Sequence, residues 1–277
     1  MTLLQGSSRL LAKKTNIFKK LRKGIAREGL TNFLYAMSGR IDYPRNGFPR
    51  YGVDEFMKTA SREVAAGALI LDAGAGHRPY KGLFDHAEYQ SCDYMPVLEE
   101  TGSDTDVLHT FYCDLENIPR ESGTYDAIIC NQVLEHVRRP GNVIGEFFRI
   151  LKPGGKLFLT APQCFGIHME PHNYYNFINY GLKFLFEEAG FEVISIKPLG
   201  GIFWLLGKVM QKGYGVFLVK MQKPMKTLFL PFHLLIRFFI AILSFLFFHL
   251  DKLDDEKGWT LNYGCSCVKP MRNYDCV

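Results

Sequence analysis

An apolar run, Ile70-Leu71, passes through Asp72-Ala73 into Gly74-Ala75-Gly76. Few folds accommodate such a segment. Apolar residues closed by Gly-x-Gly predict a buried strand that turns sharply at the ligand-binding edge of a sheet. Glycine lets the backbone turn tightly and approach a ligand closely, and a following helix N-terminus offers free N–H groups to an anion. A dinucleotide fingerprint requires a third glycine three positions after the second. That position is Pro79, so the nicotinamide reading lacks its third glycine. Asp93 follows at the end of a second, weaker strand, where a carboxylate can accept bonds from both hydroxyls of a ribose.

The same alternation continues along the chain. A helix is expected over 53–66, and strands over 68–71, 89–93, 107–113, 125–131, 156–160 and 191–197. Helices over 143–151 and 180–189 separate the later strands, and Lys152-Pro153-Gly154-Gly155 is a turn into the fifth. A seventh strand is expected over 263–269. Strands that are apolar almost throughout, alternating with helices, predict an α/β fold with a parallel sheet covered on both faces. The glycine turn, Asp93, Asp114 and Asn131 then all fall at strand ends on one edge.

These segments together resemble a known family. Leu-Asp-Ala-Gly-Ala-Gly, then Asp93, Cys-Asp-Leu-Glu, Tyr-Asp-Ala-Ile-Ile-Cys-Asn-Gln-Val-Leu-Glu-His-Val and Leu-Lys-Pro-Gly-Gly-Lys-Leu look like a class I S-adenosylmethionine-dependent methyltransferase, small-molecule and lipid branch (type 11/23-like). The resemblance covers about 53–198 and a final strand. It implies a Rossmann-like, doubly wound seven-stranded sheet with six parallel strands and an antiparallel last one. It also implies S-adenosylmethionine as cofactor. Asp72, Ala73, Gly74, Ala75 and Gly76 would hold its methionine end. Asp93, with Tyr94, would take the ribose, Asp114 and Leu115 the adenine, and Asn131 the region of the sulfonium. Asn131-Gln132-Val133-Leu134 is unlike the Asn/Asp-Pro-Pro-Tyr/Phe motif of nucleic-acid methyltransferases, so no nucleic-acid partner is expected.

Methyl transfer asks chiefly for alignment and exclusion of water. An oxygen nucleophile also benefits from a base near neutral pH, and histidine supplies one. His136 and His172 are the catalytic candidates. His168, Tyr174 and Tyr175, in a loop dense in polar and aromatic groups, are the candidates for substrate contact. Packing at a helix start is an equal reading of His136, and a surface loop is the plain reading of 168–172.

Charge and hydropathy place the rest of the chain. Residues 1–50 carry eleven Lys or Arg against two acids, 51–198 carry twelve against twenty-one, and 199–257 carry eight against four. The formal net charge of +5 therefore hides an acidic body with two basic attachments. In the first, Leu10, Leu11, Ile17, Phe18, Leu21 and Ile25 recur at helical spacing among basic residues, the pattern of a helix lying on an anionic membrane. A basic arm docked on the domain and a mitochondrial transit peptide are other readings of that segment. The pattern has no signal-peptide core, which argues against export. In the second attachment, 18 of the 23 residues over 228–250 are apolar. As a helix they would run roughly 34 Å, enough to cross a bilayer.

The runs at 202–206 and 216–219 are too short to span. A single crossing by 228–250 would leave the last strand on the wrong side of the membrane. An in-plane or hairpin attachment at the inner, cytoplasmic face is therefore expected, with a soluble helical cap as the alternative. The insertion could also hold two copies together. The domain organisation expected is an arm and linker over 1–50, a methyltransferase domain over 51–198, a hydrophobic insertion over 199–257 and a returning strand over 258–277.

Composition excludes a disordered chain and a disulfide miniprotein. The seven cysteines are odd in number and several lie in apolar runs, which suits buried thiols in a reducing compartment. Cys265 and Cys267 lack zinc-pair spacing, and no metal site is expected. The function expected is methylation of a small-molecule or lipid-linked acceptor at oxygen. Alternatives are carbon methylation of a quinone or lipid, a non-catalytic cofactor-binding module in a membrane complex, and a nicotinamide-dependent oxidoreductase.

Overall fold

A computed structural model describes residues 48–94, 108–220 and 230–271. The basic amphipathic segment of the first 47 residues lies outside these. The described chain divides into two compact units, one of 48–206 with 250–271 and the other within 207–249.

The first unit is built on a seven-stranded sheet. Its elements are α1 (Phe48–Arg62), β1 (Leu69–Ala73), β2 (Glu88–Asp93), β3 (Phe111–Tyr112), β4 (Tyr125–Asn131), α2 (Pro140–Ile150), β5 (Leu151–Pro162), α3 (Asn179–Glu188), β6 (Glu192–Leu199) and β7 (Asn262–Val268). The strand order is β3-β2-β1-β4-β5-β7-β6. The pairings from β3 through β5 are parallel, while β7 runs antiparallel to both β5 and β6. The doubly wound sheet expected from the sequence is therefore present.

Side chains alternate across this sheet, so a strand buried on both faces must be apolar at every position. Leu71, Ala73, Ile128, Cys130, Leu157 and Leu159 face one core, filled by Val143, Ile144 and Phe147 of α2 and Leu182 and Phe186 of α3. Ile70, Ala127, Ile129 and Phe158 face the other, filled by Val53, Phe56, Met57 and Ala60 of α1. Gly264 of β7 lets α1 approach, because a Cβ there would meet the Phe56 ring at 2.5 Å.

Several boundaries differ from expectation. Residues 152–155, read as a turn, lie within β5, because the strand already starts at Leu151 opposite Tyr125. Helix α1 begins at Phe48, inside the stretch read as linker. Pro49 is compatible with this, since an N–H in the first helical turn has no intrahelical partner. Strand β3 is only Phe111–Tyr112, because it sits at the sheet edge and pairs with β2 alone. The runs at 202–206 and 216–219 are parts of one 19-residue helix, α4 (Ile202–Lys220). The glycines and lysines between the two runs made them look separate, but glycine lowers helix propensity without forbidding the helix.

Helix α5 (Leu230–Leu250) follows. In the second unit, Gln211 donates to the Ser244 hydroxyl at 2.8 Å, and the Tyr214 hydroxyl donates to the His233 carbonyl at 3.2 Å. Ser244 and His233 are buried, whereas Phe232, Leu234, Leu235, Phe239 and Leu246 are exposed. The stretch Pro231–Leu253 has a mean hydropathy of 2.1 and is long enough to cross a bilayer, yet only 17% of its most apolar window is buried.

The insertion leaves and rejoins the sheet unit at one polar node. The Asp251 carboxylate is nearly fully buried. It accepts the N–H groups of Gly201 (2.9 Å) and Trp204 (3.2 Å) at the start of α4, and the Lys257 ammonium at 2.7 Å. Asp254 accepts the N–H of Ile202 at 2.8 Å. Carboxylates at a helix N-terminus satisfy its unpaired donors and oppose its dipole. Gly201 cannot be replaced here, since a Cβ would come within 2.2 Å of Asp254 Oδ2. Asp251→Ala removes the acceptor from two buried N–H groups and a partly buried ammonium and is expected to cost about 3 kcal/mol of unfolding free energy, measured by urea denaturation. A loss below about 1 kcal/mol would show that the node is not what closes the insertion.

Candidate functional site

The carboxyl ends of β1, β2, β4 and β5 meet at one edge. After β1 the chain turns at Gly74 (φ +72°) and Gly76 (φ +50°), a backbone region that strains any residue with a Cβ. A Cβ on Gly74 would also meet Val133 Cγ2 at 2.5 Å. The N–H groups of Gly74 and Ala75 both donate to the Cys92 carbonyl at the end of β2 (3.0 and 3.1 Å). The Gly76 N–H donates to Asp93 Oδ2 at 2.7 Å, and the Tyr94 N–H to Asp93 Oδ1 at 2.7 Å. Asp93 thus fixes the glycine turn while sitting at the strand end beside it. A tight, glycine-lined cradle with a carboxylate at the next strand end fits the methionine and ribose parts of an adenosyl cofactor.

Asp72 is different in kind. It is buried within β1 and accepts the Tyr89 hydroxyl. Burial pushes its carboxyl up to about 7; the negative charge of Asp93 adds to this, and the Tyr89 bond and Arg78 oppose it. Asp114 turns the chain after β3, its Oδ1 accepting the Glu116 N–H at 2.9 Å. Leu115 beside it is buried, Asn131 ends β4 with its Oδ1 bonded by the Thr160 hydroxyl, Ala73 closes β1 and Ala75 lies in the turn itself.

A second group of residues gathers after β4 and β5. The turn Leu134–His136 follows β4. The loop after β5 folds back onto it through main-chain bonds, as the Glu135 carbonyl accepts the N–H groups of Tyr174 (2.8 Å) and Tyr175 (3.3 Å). The Tyr175 hydroxyl donates to the Arg138 carbonyl at 2.9 Å, and Arg138 donates to the Tyr174 hydroxyl at 3.2 Å. The rings of His136 and His168 meet edge to face at 4.8 Å between centroids. His172 reaches this cluster through its carbonyl, which His136 Nδ1 approaches. Its ring lies 3.3 Å from the Tyr174 hydroxyl instead. The structure therefore brings the rings of His136 and His168 into contact, and the His172 ring bonds the Tyr174 hydroxyl.

One residue of this cluster went unread in the sequence. The Glu135 carboxyl is completely buried, and neither oxygen has a hydrogen-bond partner. Burial pushes it up to about 8, and burial also lowers His136. The signal was a charged residue beside a histidine at the end of an apolar strand, in Val-Leu-Glu-His. Tyr89, the partner of Asp72, carries no comparable signal, because an aromatic residue in a strand is ordinarily core.

Residues 47–196 match the model of a family described as a methyltransferase domain. A ubiquinone biosynthesis O-methyltransferase of Xanthomonas oryzae is 35% identical over 114 residues, which are 37% of this chain and 46% of that protein. An uncharacterized chloroplastic methyltransferase of Arabidopsis thaliana is 28% identical over 160 residues, 50% of this chain and 44% of that one. The chain thus spans less than half the length of these curated relatives. Among solved structures, the [4+2]-cyclase SpnF superposes with a TM-score of 0.50 at 17% identity, covering 83% of this chain and 85% of its own, a likeness of fold.

Two outcomes are expected at this edge. Asp93→Ala removes a charged acceptor from both the glycine turn and the ribose position, and should weaken S-adenosylmethionine binding at least about 100-fold by calorimetry. Unchanged binding would place the cofactor elsewhere. Asp72, at 3.8 unfolded and about 7 folded, keeps a proton in the native state that the unfolded chain has released. Its contribution to the stability of the cofactor-free protein therefore falls as pH rises across that window. Urea titrations of Asp72→Asn should lack this part of the pH slope.

Proposed function

We propose, for a chain that belongs to the methyltransferase domain family and is an S-adenosylmethionine-dependent methyltransferase, that the methyl group passes to an oxygen of a lipophilic or lipid-linked small molecule met at a membrane surface. The cofactor supplies an activated methyl on a good leaving group. The chain's own residues do the rest. The Gly74–Gly76 turn and Asp93 hold the cofactor at the ends of β1 and β2. Asp114 and Leu115 border the adenine side, and Asn131 the reacting end. The loop over 163–177, pinned to Glu135, covers the acceptor and keeps water out, which favours transfer over side reactions. His136, with its pKa lowered by burial, stays neutral and able to take the proton of an acceptor hydroxyl. Tyr174 and Tyr175 are exposed on that loop and present aromatic surface to an acceptor.

The observation that carries the lipophilic acceptor is the bare apolar face of α5. A contiguous exposed patch of Phe and Leu on a soluble surface marks an interaction site. Because β7 re-enters the sheet between β5 and β6, α5 cannot be a lone crossing, and an in-plane or hairpin attachment suits it. The basic segment 9–27 would supply the second, electrostatic signal that stable attachment needs. Oxygen as acceptor accords with the name of the Xanthomonas relative.

Flotation tests this reading. Full-length protein should float with vesicles containing anionic lipid. Deleting residues 1–30 should weaken flotation, and raising the salt should weaken it further in the full-length protein. Protein that remains in the aqueous fraction without detergent would sink the membrane reading. Turnover measured on an isoprenoid-tailed phenol against its tail-less head group then tests the acceptor class, and equal turnover would count against a lipophilic substrate.

A further inference from the structure

We propose that Glu135, His136 and His168 form a binding site for a single divalent transition-metal ion at the carboxyl ends of β4 and β5. A donor atom from each residue lies within 4.8 Å of the other two. Ligands about 2.1 Å from one ion sit roughly 3–4 Å apart, so closing the set takes a shift of roughly 1–2 Å. Glu135 Oε1 and His136 Nε2 are already at 3.7 Å.

The hydrogen bonds around the cluster set the protons. His136 Nδ1 faces the His172 carbonyl, and His168 Nδ1 lies 3.1 Å from the Gly166 carbonyl. A carbonyl only accepts, so each Nδ1 carries the hydrogen and each Nε2 keeps its lone pair. Outer-sphere carbonyls fix metal-ligating imidazoles in this way.

The third donor points to a cation as well. Both Glu135 oxygens are buried without a hydrogen-bond partner. The gap of 3.7 Å to His136 Nε2 is too long for a hydrogen bond, so a proton on the buried carboxyl gains no partner there. A cation that displaces that proton would satisfy the carboxylate and the Nε2 lone pair together. A doubly charged ion shared with His168 meets that need.

The donor set selects the ion class. Two imidazole nitrogens and one carboxylate oxygen suit zinc, cobalt or iron(II), whereas magnesium and calcium take oxygen ligands. Three protein ligands leave open positions. A hydroxyl of the acceptor bound at one of them would be oriented and made more acidic, as metal-bound water is, and this would take the place of proton uptake by His136, whose Nε2 is then a ligand. This use rests on the oxygen-methylation reading above; the metal site itself does not.

The test uses full-length protein stripped with a chelator. Cobalt(II) titration, followed by its visible ligand-field bands, should saturate at about one equivalent, and Glu135→Gln and His168→Ala should each weaken binding at least about tenfold. Zinc calorimetry should agree. Wild-type protein that binds cobalt no better than the two variants overturns the site, and a proton is then what Glu135 and His136 share. His168 lies on a half-exposed loop, so His168→Ala remains informative if Glu135→Gln fails to fold. S-adenosylmethionine calorimetry on the same stripped protein separates this inference from the methyltransferase reading, because cofactor binding should survive chelation. Metal that binds while turnover ignores the chelator overturns the hydroxyl role alone.

Discussion

A single buried carboxylate makes this architecture workable. Between β6 and β7 the chain departs over residues 200–261, yet β7 must return into the slot between β5 and β6. Asp251 closes that excursion by accepting the first N–H groups of α4 and the Lys257 ammonium together. The exit and re-entry points become neighbours whatever lies beyond them. Sheet pairing is thereby insulated from the apolar helices, and the insertion can serve a surface while the sheet serves chemistry. Gly200 (φ +87°) and Gly201 belong to the same joint, since a Cβ on either would collide with Trp204 or Asp254.

Much of the sheet was legible because strands buried on both faces must be apolar throughout, and runs such as 125–131 leave no other reading. The edge strand β3 was legible only as a place, since pairing on one side holds just Phe111–Tyr112. Helix α4 was misread as two runs because its glycines and lysines imitate punctuation. The acids from Asp251 onward follow the apolar helix directly in the sequence. Their role as the cap of another helix about fifty residues away depends on tertiary position and leaves no local trace. The same holds at the site. Asp93 was visible from its spacing to the glycine turn, but its bond to the Gly76 N–H was not. Glu135 was quoted as part of a pattern without a role, because its meaning comes from being buried beside two histidines from separate loops.

The edge of the sheet divides its tasks by strand. The ends of β1 and β2 form a rigid cradle in which Asp93 pins the turn that it also borders. The ends of β4 and β5 carry the titratable cluster, with His136 and His168 in ring contact and His172 contributing its carbonyl. Two differently built halves therefore face one another across the line between β1 and β4, where sheets of this kind take their ligands.

The covering loop is tied down by its backbone. The Glu135 carbonyl holds the N–H groups of Tyr174 and Tyr175, and the Pro162 carbonyl holds that of Phe177. Every amino acid except proline brings such an N–H. Residues 174 and 175 can thus change identity over evolutionary time while the loop keeps its course. A loop held in this way tolerates substitution without renegotiating the scaffold that carries it.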